Sequence, residues 1–197
     1  MHPPDWTHPD DLYAIRPPWD IDRPQPAFAA LAADGAIRGR VLDIGCGTGE
    51  HALMAASLGL DATGVDLAES ALVSARRKAG NRGLTARFLR HDARRLDELG
   101  ETFDTVLDCG LFHIFDPADR PTYVAALGAA TSAGSRYFML GFSDRQPGDW
   151  GPHRLTRADI EAAFTDHWRI DAIDPAVIDV TDDPAGIASW LTSATRL

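Results

Sequence analysis

The chain has 197 residues, 45% of them hydrophobic, which is long enough for one α/β domain with a sizeable core and short for two. Its 29 acidic and 19 basic side chains give a formal net charge of −10 at pH 7, which disfavours a nucleic-acid partner. No apolar run approaches the roughly 20 residues of a membrane helix, and the acidic N-terminus does not resemble a signal peptide, so we expect a cytoplasmic protein without a membrane partner.

Hydrophobic runs alternate with helical patterns along most of the chain, which is typical of a parallel sheet with covering helices. The predicted strands are residues 40–45, 61–66, 85–90, 103–110 and 135–142. The predicted helices between them are residues 50–58, 68–80 and 119–131. A helix that Thr156 caps follows, and residues 168–180 and 186–197 form two more strands, which we expect to end the sheet in antiparallel fashion.

Two segments fit neither helix nor strand. Residues 1–26 are rich in proline and aromatic side chains, and residues 143–154 form a polar loop that contains Trp150. A loose tail and a plain surface loop are the alternatives. Because α/β proteins keep their sites on loops at the carboxyl ends of strands, we interpret both segments as lids over a pocket. The two lids and the sheet together form the single domain that we predict over residues 1–197.

The glycine-rich sequence VLDIGCGTGEHAL, residues 41–53, joins the first strand to the first helix. Such a turn brings backbone N–H groups and a helix N-terminus to one place, which suits a nucleotide-like ligand. Gly45, Gly47 and Gly49 alternate strictly, and Glu50 stands where the third glycine of a dinucleotide fingerprint would fall. The spacing disfavours a pyrophosphate. A nicotinamide-dependent oxidoreductase and a non-catalytic cofactor-binding regulator remain as the alternatives.

Three aspartates lie at or just after the ends of the first three strands. Asp43, just before the glycines, would repel a phosphate and attract a cation. Asp66 stands about twenty residues further on, where an acid can bind both ribose hydroxyls, and Asp92 could receive the exocyclic amine of a purine. A ligand with an ammonium, a ribose and an adenine but no phosphate satisfies all three. We therefore predict S-adenosylmethionine as the cofactor and S-adenosylhomocysteine as the product.

The motifs VLDIGCGTGEHAL, GVDLAESAL, HDARRL and FDTVLDCGLFHIF resemble, in order and spacing, those of the class I S-adenosylmethionine-dependent methyltransferases. PPWDIDRPQPAF, GLFHIFDPADR and FSDRQPGDWGP resemble thiopurine-methyltransferase-like enzymes, especially the actinobacterial group that methylates heterocyclic toxins such as hydroxyquinolones. The resemblance implies an α/β, Rossmann-like sheet of seven mostly parallel strands with an antiparallel C-terminal strand and helices on both faces. It also implies methyl transfer to an oxygen or nitrogen of a small, planar heterocyclic molecule, with an S- or thiopurine-type methyltransferase as the alternative.

The same resemblance implies a set of cofactor contacts. The glycine loop would pass under the methionine moiety, Asp66 would bind the ribose, and Leu67 would flank the adenine. Asp92 and Ala93 would meet the adenine edge, and Cys109 would lie near the methionine amine. The complete predicted set is Trp19, Gln25, Asp43, Gly45, Cys46, Gly47, Gly49, Asp66, Leu67, Asp92, Ala93 and Cys109.

Methyl transfer from a sulfonium is an in-line displacement, so positioning the acceptor and excluding water supply most of the catalysis. A base is needed only for an acceptor that arrives protonated. His113 is the first candidate, and the alternative is a histidine that caps the next helix or packs beneath the pocket; His153 is the second candidate. The predicted substrate contacts, which include two phenylalanines that could equally belong to the core, are Tyr13, Phe112, Phe115, Arg145 and Trp150.

The sequence contains two cysteines, Cys46 and Cys109, whose number and spacing indicate neither a disulfide framework nor a zinc site. No carboxylate and amide set follows the fourth and fifth strands, so we predict no metal. The fourth strand ends in DCGLF, whereas amino-methylating enzymes of nucleic acids usually carry an Asn/Asp-Pro-Pro-aromatic run there. We expect a small aromatic substrate and either a monomer or a homodimer.

Overall fold

The computed structural model describes residues 8–197, so residues 1–7 of the predicted first lid lie outside the described part. One seven-stranded sheet has the order β3-β2-β1-β4-β5-β7-β6. Its strands are β1 Arg40–Ile44, β2 Asp61–Asp66, β3 Arg87–Arg90, β4 Phe103–Cys109, β5 Thr131–Phe142, β6 Trp168–Ile178 and β7 Ile187–Arg196. The α-helices are α1 Pro26–Ala33, α2 Glu50–Ser57, α3 Glu69–Arg82, α4 Arg120–Ala129 and α5 Arg157–Ala163, and 3-10 turns span Pro9–Tyr13, Ala93–Leu99 and Phe112–Ile114.

The predicted sheet is confirmed. Strands β1 to β5 pair with one another in parallel, and β7 runs antiparallel to both of its neighbours, β5 and β6. Strand β7 is therefore the antiparallel member. The order of the strands reverses between β1 and β4, and in open α/β sheets ligands bind at the carboxyl ends of the strands at this point.

Side chains of the central strands alternate between two faces, and each face carries its own core. On β1, Leu42 and Ile44 enter the cluster that α4 and α5 cover, whereas Val41 enters the cluster that contains Phe28 of α1. A strand that is buried on both faces is expected to be apolar throughout, and β1 is apolar apart from Arg40 at its half-buried start and Asp43. Asp43 is the one carboxylate in this buried strand, so its presence there needs an explanation.

Some element boundaries differ from the predicted ones. Helix α1 was not predicted, although Pro26 at its first turn and its alanines are helix signals. Helix α3 continues past Gly80 to Arg82, because Gly83 adopts the left-handed conformation that ends it. Within residues 8–197, no helix has the length and apolarity that a membrane crossing requires.

Candidate active site

The loop between β1 and α2 has three glycines with positive φ. Gly45, Gly47 and Gly49 have φ angles of 64°, 51° and 85°, a region that side chains disfavour. A Cβ at Gly49 would lie 2.7 Å from Cε1 of Phe88 and 2.8 Å from Cβ of Ala75. The third glycine therefore permits close packing of α2 on α3 and β3, and the loop turns its backbone toward the sheet edge.

Asp43 is buried at the base of this loop. Its Oδ2 accepts a hydrogen bond of 3.0 Å from the N–H of Ala52, in the first turn of α2. Its Oδ1 has no hydrogen-bond partner within residues 8–197, and Nδ1 of His51 lies 3.9 Å away, too far for a hydrogen bond. Burial, with smaller contributions from Asp66 and Asp108, raises the pKa of Asp43 to about 7. A buried, unsatisfied carboxylate oxygen is rare in proteins, and a cationic group is the partner that would satisfy it best.

Asp66, at the end of β2, connects the glycine loop to the start of α3. Its Oδ2 accepts from the N–H of Gly47 and its Oδ1 from the N–H of Ala68, each at 2.8 Å. Burial raises the pKa of this carboxyl group. Each carboxylate oxygen can accept a second hydrogen bond, so Asp66 can hold the loop and still bind two hydroxyl groups. The neighbouring Leu67 is 40% exposed, which leaves an apolar surface beside it.

Two predicted cofactor contacts have side chains that are engaged elsewhere. Both oxygens of Asp92 bind Arg94, at 3.1 Å to Nε and 2.8 Å to Nη2, and this contact lowers the pKa of Asp92. The Gln25 amide donates to the carbonyl of Asp179 at 3.0 Å and accepts from its N–H at 2.8 Å. Gln25 thus binds the predicted first lid to the residue that follows β6, and Asp92 is the N-cap of the following 3-10 turn.

The remaining cofactor predictions concern small side chains. Cys46 and Ala93 are buried and Cys109 is half-buried. Burial raises the pKa of both thiols, so both stay protonated at neutral pH. Sγ of Cys46 lies 2.8 Å from the position that a Cβ at Gly64 would take and 3.7 Å from the carbonyl oxygen of Gly47, so this side chain packs between β2 and the glycine loop.

Residues 8–25 of the first lid pack on the glycine loop and on α3. Oδ1 of Asp10 accepts from the N–H and the hydroxyl of Ser70, at 2.8 Å and 2.7 Å. Nζ of Lys78 lies 2.8 Å from Oγ1 of Thr48 in the loop and 3.1 Å from Oδ1 of Asp22 in the lid. Lys78 was not a sequence candidate, because a lysine that follows two arginines in a helical pattern usually lies on a solvent-exposed face. It ties the lid to the loop.

Tyr13 lies on the cofactor loop, although the sequence predicted it as a substrate contact. A Cβ at Gly47 would lie 2.5 Å from the Tyr13 hydroxyl oxygen. Burial and the nearby Asp66 raise the pKa of Tyr13, whereas a hydrogen bond with Trp19 opposes this shift. The two aromatic residues therefore lie together, with the hydroxyl of Tyr13 against the second glycine.

The 3-10 turn after β4 places the side chain of Phe112 in the protein interior, and Phe115, just after the turn, is half-buried. Phe112 is fully buried, with its ring 5.8 Å from Tyr123 and 5.7 Å from Phe164, and the ring of Phe115 packs 5.0 Å from Tyr123. Phe112 is therefore a core residue, which corrects its assignment to an aromatic substrate box. From the sequence, both phenylalanines could equally belong to the core. Phe112 lies fully in the core, and Phe115 is partly buried against it.

The two candidate bases have different surroundings. His113 is buried, its Nδ1 accepts from the N–H of Phe142 at 2.9 Å, and burial lowers its pKa to about 3. This neutral ring holds its turn on β5, which favours the packing role over the role of a base. His153 is exposed, and its Nε2 lies 2.9 Å from Oδ1 of Asp116. Its backbone N–H donates to the carbonyl of His113 at 3.1 Å, so both histidines belong to one region.

The second lid, residues 143–154, is a loop with its own internal support. Arg154 donates to the carbonyls of Gln146, Pro147 and Trp150, the last at 2.8 Å. Trp150 is 53% exposed, and its ring meets that of Phe142 edge-on at 5.9 Å. The predicted contact Arg145 lies with its guanidinium 5.5 Å from the ring of Trp190. An exposed indole is thus fixed in place above the carboxyl end of β5.

Comparison with known proteins identifies the chemistry that this edge of the sheet performs. A methyltransferase domain model matches residues 41–134. The chain is 34% identical over 166 residues to a 2-heptyl-1-hydroxyquinolin-4(1H)-one methyltransferase of Mycobacteroides abscessus, a match that covers 83% of this chain and 73% of that protein. The chain belongs to the class I S-adenosylmethionine-dependent methyltransferases. The methyltransferase is therefore an enzyme that uses S-adenosylmethionine, and the nicotinamide alternative is set aside.

Solved structures agree with the fold of the methyltransferase. A structure from work on the conversion of a disulfide bond into a thioacetal group during echinomycin biosynthesis has a TM-score of 0.85 and 38% identity, covering 92% of this chain and 85% of that one. Magnesium protoporphyrin IX methyltransferase from Synechocystis PCC 6803, solved with bound S-adenosylmethionine, has a TM-score of 0.67 over 87% of this chain and 76% of that one, at 23% identity. The second match speaks for the fold alone.

The residues of the methyltransferase fit its cofactor. The unsatisfied Oδ1 of Asp43 offers a buried acceptor for an ammonium, and Asp66 has acceptor capacity for two ribose hydroxyls. Gly45, Gly47 and Gly49, which carry no side chains, form the loop that lies between these two acids in the sequence. We infer that the methionine end lies near Asp43 and the ribose near Asp66.

Cofactor binding should be coupled to proton release. Burial raises the pKa of Asp43 to about 7, so this group is largely protonated in the free protein at a pH of about 6. An ammonium favours the carboxylate, so affinity should rise with pH up to about 7 and then level off. Calorimetric titration near pH 6, in two buffers of different ionisation enthalpy, counts the released protons. Asp43→Asn should abolish the release, and proton uptake in the unmodified protein would contradict the contact.

Proposed function

We propose that the methyltransferase moves the methyl group of S-adenosylmethionine to an oxygen or nitrogen of a small, planar heterocyclic molecule of the hydroxyquinolone kind. The observation that carries this proposal is the 34% identity, over 83% of the chain, to a methyltransferase named for a hydroxyquinolone. The half-exposed ring of Trp150, held by Arg154 and Phe142, supports it because a flat aromatic acceptor can stack on such a surface. In this proposal residues 1–197 form one domain, with lids at residues 1–26 and 143–154.

A sulfur acceptor is the second candidate. The structure related to thioacetal formation is more similar to this chain, at 38% identity and a TM-score of 0.85, than the solved magnesium protoporphyrin enzyme is. Its reported context concerns a disulfide, so methylation at sulfur is the chemistry that this similarity favours. Planar heterocycles and thiols therefore both belong in the first substrate panel.

The chain contributes to the reaction mainly by positioning the cofactor and the acceptor and by excluding water from them. When bound, S-adenosylmethionine would supply a methyl group on a cationic sulfur; the acceptor lone pair would bond to the methyl carbon in line as the carbon–sulfur bond breaks, leaving neutral S-adenosylhomocysteine. Asp66 and the backbone of residues 45–49 would hold the ribose and methionine parts, and Tyr13 with Trp19 would cover them. Holding the reacting atoms at about 3 Å and excluding water accelerates such a step without a covalent enzyme intermediate.

A base is required only for acceptors that are protonated when they bind, and His153 suits this role better than His113. In its neutral form His153 donates from Nε2 to Asp116, so Nδ1 carries the free lone pair. His113 uses its Nδ1 to accept from Phe142 and has a pKa lowered to about 3, which makes it a poor proton acceptor. We propose that Asp116 orients His153, and that His153 removes the proton from the methyl acceptor.

The direct test of the function combines binding with product analysis. Calorimetric titration should detect binding of S-adenosylmethionine and of S-adenosylhomocysteine, and no binding of NAD. Mass spectrometry should then find a methylated product from at least one hydroxyquinolone in a panel that also contains phenols, thiols and purines. Products from thiols alone would replace the proposed acceptor by sulfur, and cofactor binding without any product would remove the acceptor proposal.

His153→Asn should separate acceptors by their acidity. For an acceptor that is protonated at the assay pH, kcat/KM should fall about 10- to 100-fold, because proton removal then lacks its base. For an acceptor that is already ionised, kcat/KM should stay within about 2-fold of the parent value. Asp116→Asn should give a smaller loss with the same acceptor dependence. An equal loss for both classes of acceptor would assign His153 to lid structure.

A further inference from the structure

A buried carboxylate at the end of β4 collects four hydrogen-bond donors. Oδ1 of Asp108 accepts from the N–H groups of Leu111 and Phe112, at 2.9 Å and 3.2 Å. Its Oδ2 accepts from the hydroxyls of Tyr123 and Tyr137, at 2.5 Å and 2.8 Å. Asp108 and both tyrosines are fully buried, so the cluster belongs to the interior.

Four donors are directed at the two carboxylate oxygens of Asp108, which favours the ionised form, whereas burial raises the pKa of this group. Placing a charge in a core is costly unless hydrogen bonds compensate for the lost hydration. A buried charged cluster can often be replaced as a whole by apolar side chains without loss of stability, so stability by itself is weak evidence for why a carboxylate stands here.

The two backbone donors belong to the loop that meets the glycine loop. A Cβ at Gly45 would lie 3.2 Å from both Cβ and Cδ1 of Leu111, so Leu111 packs directly on the first glycine. The N–H of Gly110 donates to the carbonyl of Leu140 at 2.9 Å, which fastens the loop to β5 as well. Asp108 thereby links the core tyrosines of α4 and β5 to the side of the cofactor loop where Asp43 lies.

We propose that Asp108 is a positioning residue for the cofactor site. Its carboxylate holds residues 109–112 through the N–H groups of Leu111 and Phe112, so that Leu111 packs on Gly45 and fixes the spacing of the two loops. It acts through these residues and does not itself touch the cofactor. The proposal concerns cofactor binding, so it is independent of which acceptor the enzyme methylates.

Asparagine and alanine at position 108 should behave differently. An amide oxygen can still accept from the N–H groups of Leu111 and Phe112, whereas alanine offers no acceptor to them. Asp108→Ala should weaken S-adenosylhomocysteine binding about 10-fold or more, and Asp108→Asn should restore most of that affinity. Calorimetry measures both without a methyl acceptor.

Tyr137→Phe is the matched control, because it removes a bond to the same carboxylate while leaving both loop bonds in place. It should lower Tm yet keep S-adenosylhomocysteine affinity within about 2-fold. The KM for S-adenosylmethionine should follow the same order across the three variants. Affinity losses that match the Tm losses in every variant would show a purely structural role and overturn the proposal.

Leu111→Ala tests the same link if Asp108→Ala does not fold. It removes the side chain that packs on Gly45 without opening the buried cluster. It should reduce S-adenosylhomocysteine affinity several-fold with a small change in Tm. Unchanged affinity in Leu111→Ala would overturn the proposal, whatever acceptor the product assay identifies.

Discussion

Asp66→Ala should weaken S-adenosylmethionine binding by about 100-fold or more, the largest effect on binding that we expect from one substitution. The carboxylate supports the N–H groups of Gly47 and Ala68 at 2.8 Å and has capacity left for the ribose hydroxyls. Its removal therefore loosens the loop and deletes the ribose acceptor in one step. Calorimetric titration with S-adenosylmethionine and S-adenosylhomocysteine measures the loss, which should be similar for both because they share the ribose.

Asp61→Ala is the matched control for Asp66→Ala. Asp61 begins the same strand at the opposite end, where its carboxylate pairs with Arg40 at 3.2 Å on the surface. Surface ion pairs contribute little, so this variant should change neither cofactor affinity nor stability by much. An Asp66→Ala protein that binds the cofactor as well as Asp61→Ala does would refute the ribose assignment.

Gly49→Ala should reduce the free energy of unfolding by about 3 kcal/mol, from backbone strain and overpacking together. At this position φ is 85°, and a Cβ would lie under 3 Å from atoms of Phe88 and Ala75. These neighbours belong to β3 and α3, so relief of the overlap would separate α2 from the elements it packs on. Chemical denaturation measures the loss.

Gly59→Ala separates strain from packing. Gly59 also has a positive φ, 79°, but nothing lies within 4 Å of the position of its Cβ. Its substitution should cost about 1 kcal/mol, from backbone conformation alone. Equal losses at Gly49 and Gly59 would mean that Phe88 and Ala75 can move aside, and that the close packing does not explain the glycine.

The sheet was predictable because its information is local. Apolar runs of strand length, separated by helical patterns, predicted all seven strands, and the carboxyl ends of parallel strands necessarily share one edge. Asp43, Asp66 and the glycines were identifiable for the same reason, since each stands at a fixed place relative to the end of β1 or β2. Helix α1 was missed because Pro26, its first residue, also ends a proline-rich segment, and the helix signal of the alanines that follow was not used.

The directions in which side chains on short turns point could not be predicted from the sequence. Phe112 and His113 lie in a three-residue 3-10 turn, where one residue changes the direction by about 120° and only tertiary packing fixes its rotation. Gln25 pairs with Asp179, which is 154 residues away, and no local pattern indicates such a partner. Asp92 differs, because its partner Arg94 is two residues away and its capture by that arginine could have been read from the sequence.

Residues 143–154 are held by hydrogen bonds within the loop itself, so substitutions there and substitutions in the first lid should have different effects. Arg154 closes that loop on its own carbonyls, and the loop borders the sheet through Phe142 and Leu155. The first lid, in contrast, is bound by Lys78 and Asp10 to the elements that form the cofactor loop. On the proposed role of this loop in holding the acceptor, sequence drift within it would alter which molecule is methylated and leave the cofactor end undisturbed. Related enzymes with new acceptors should differ first between residues 143 and 154.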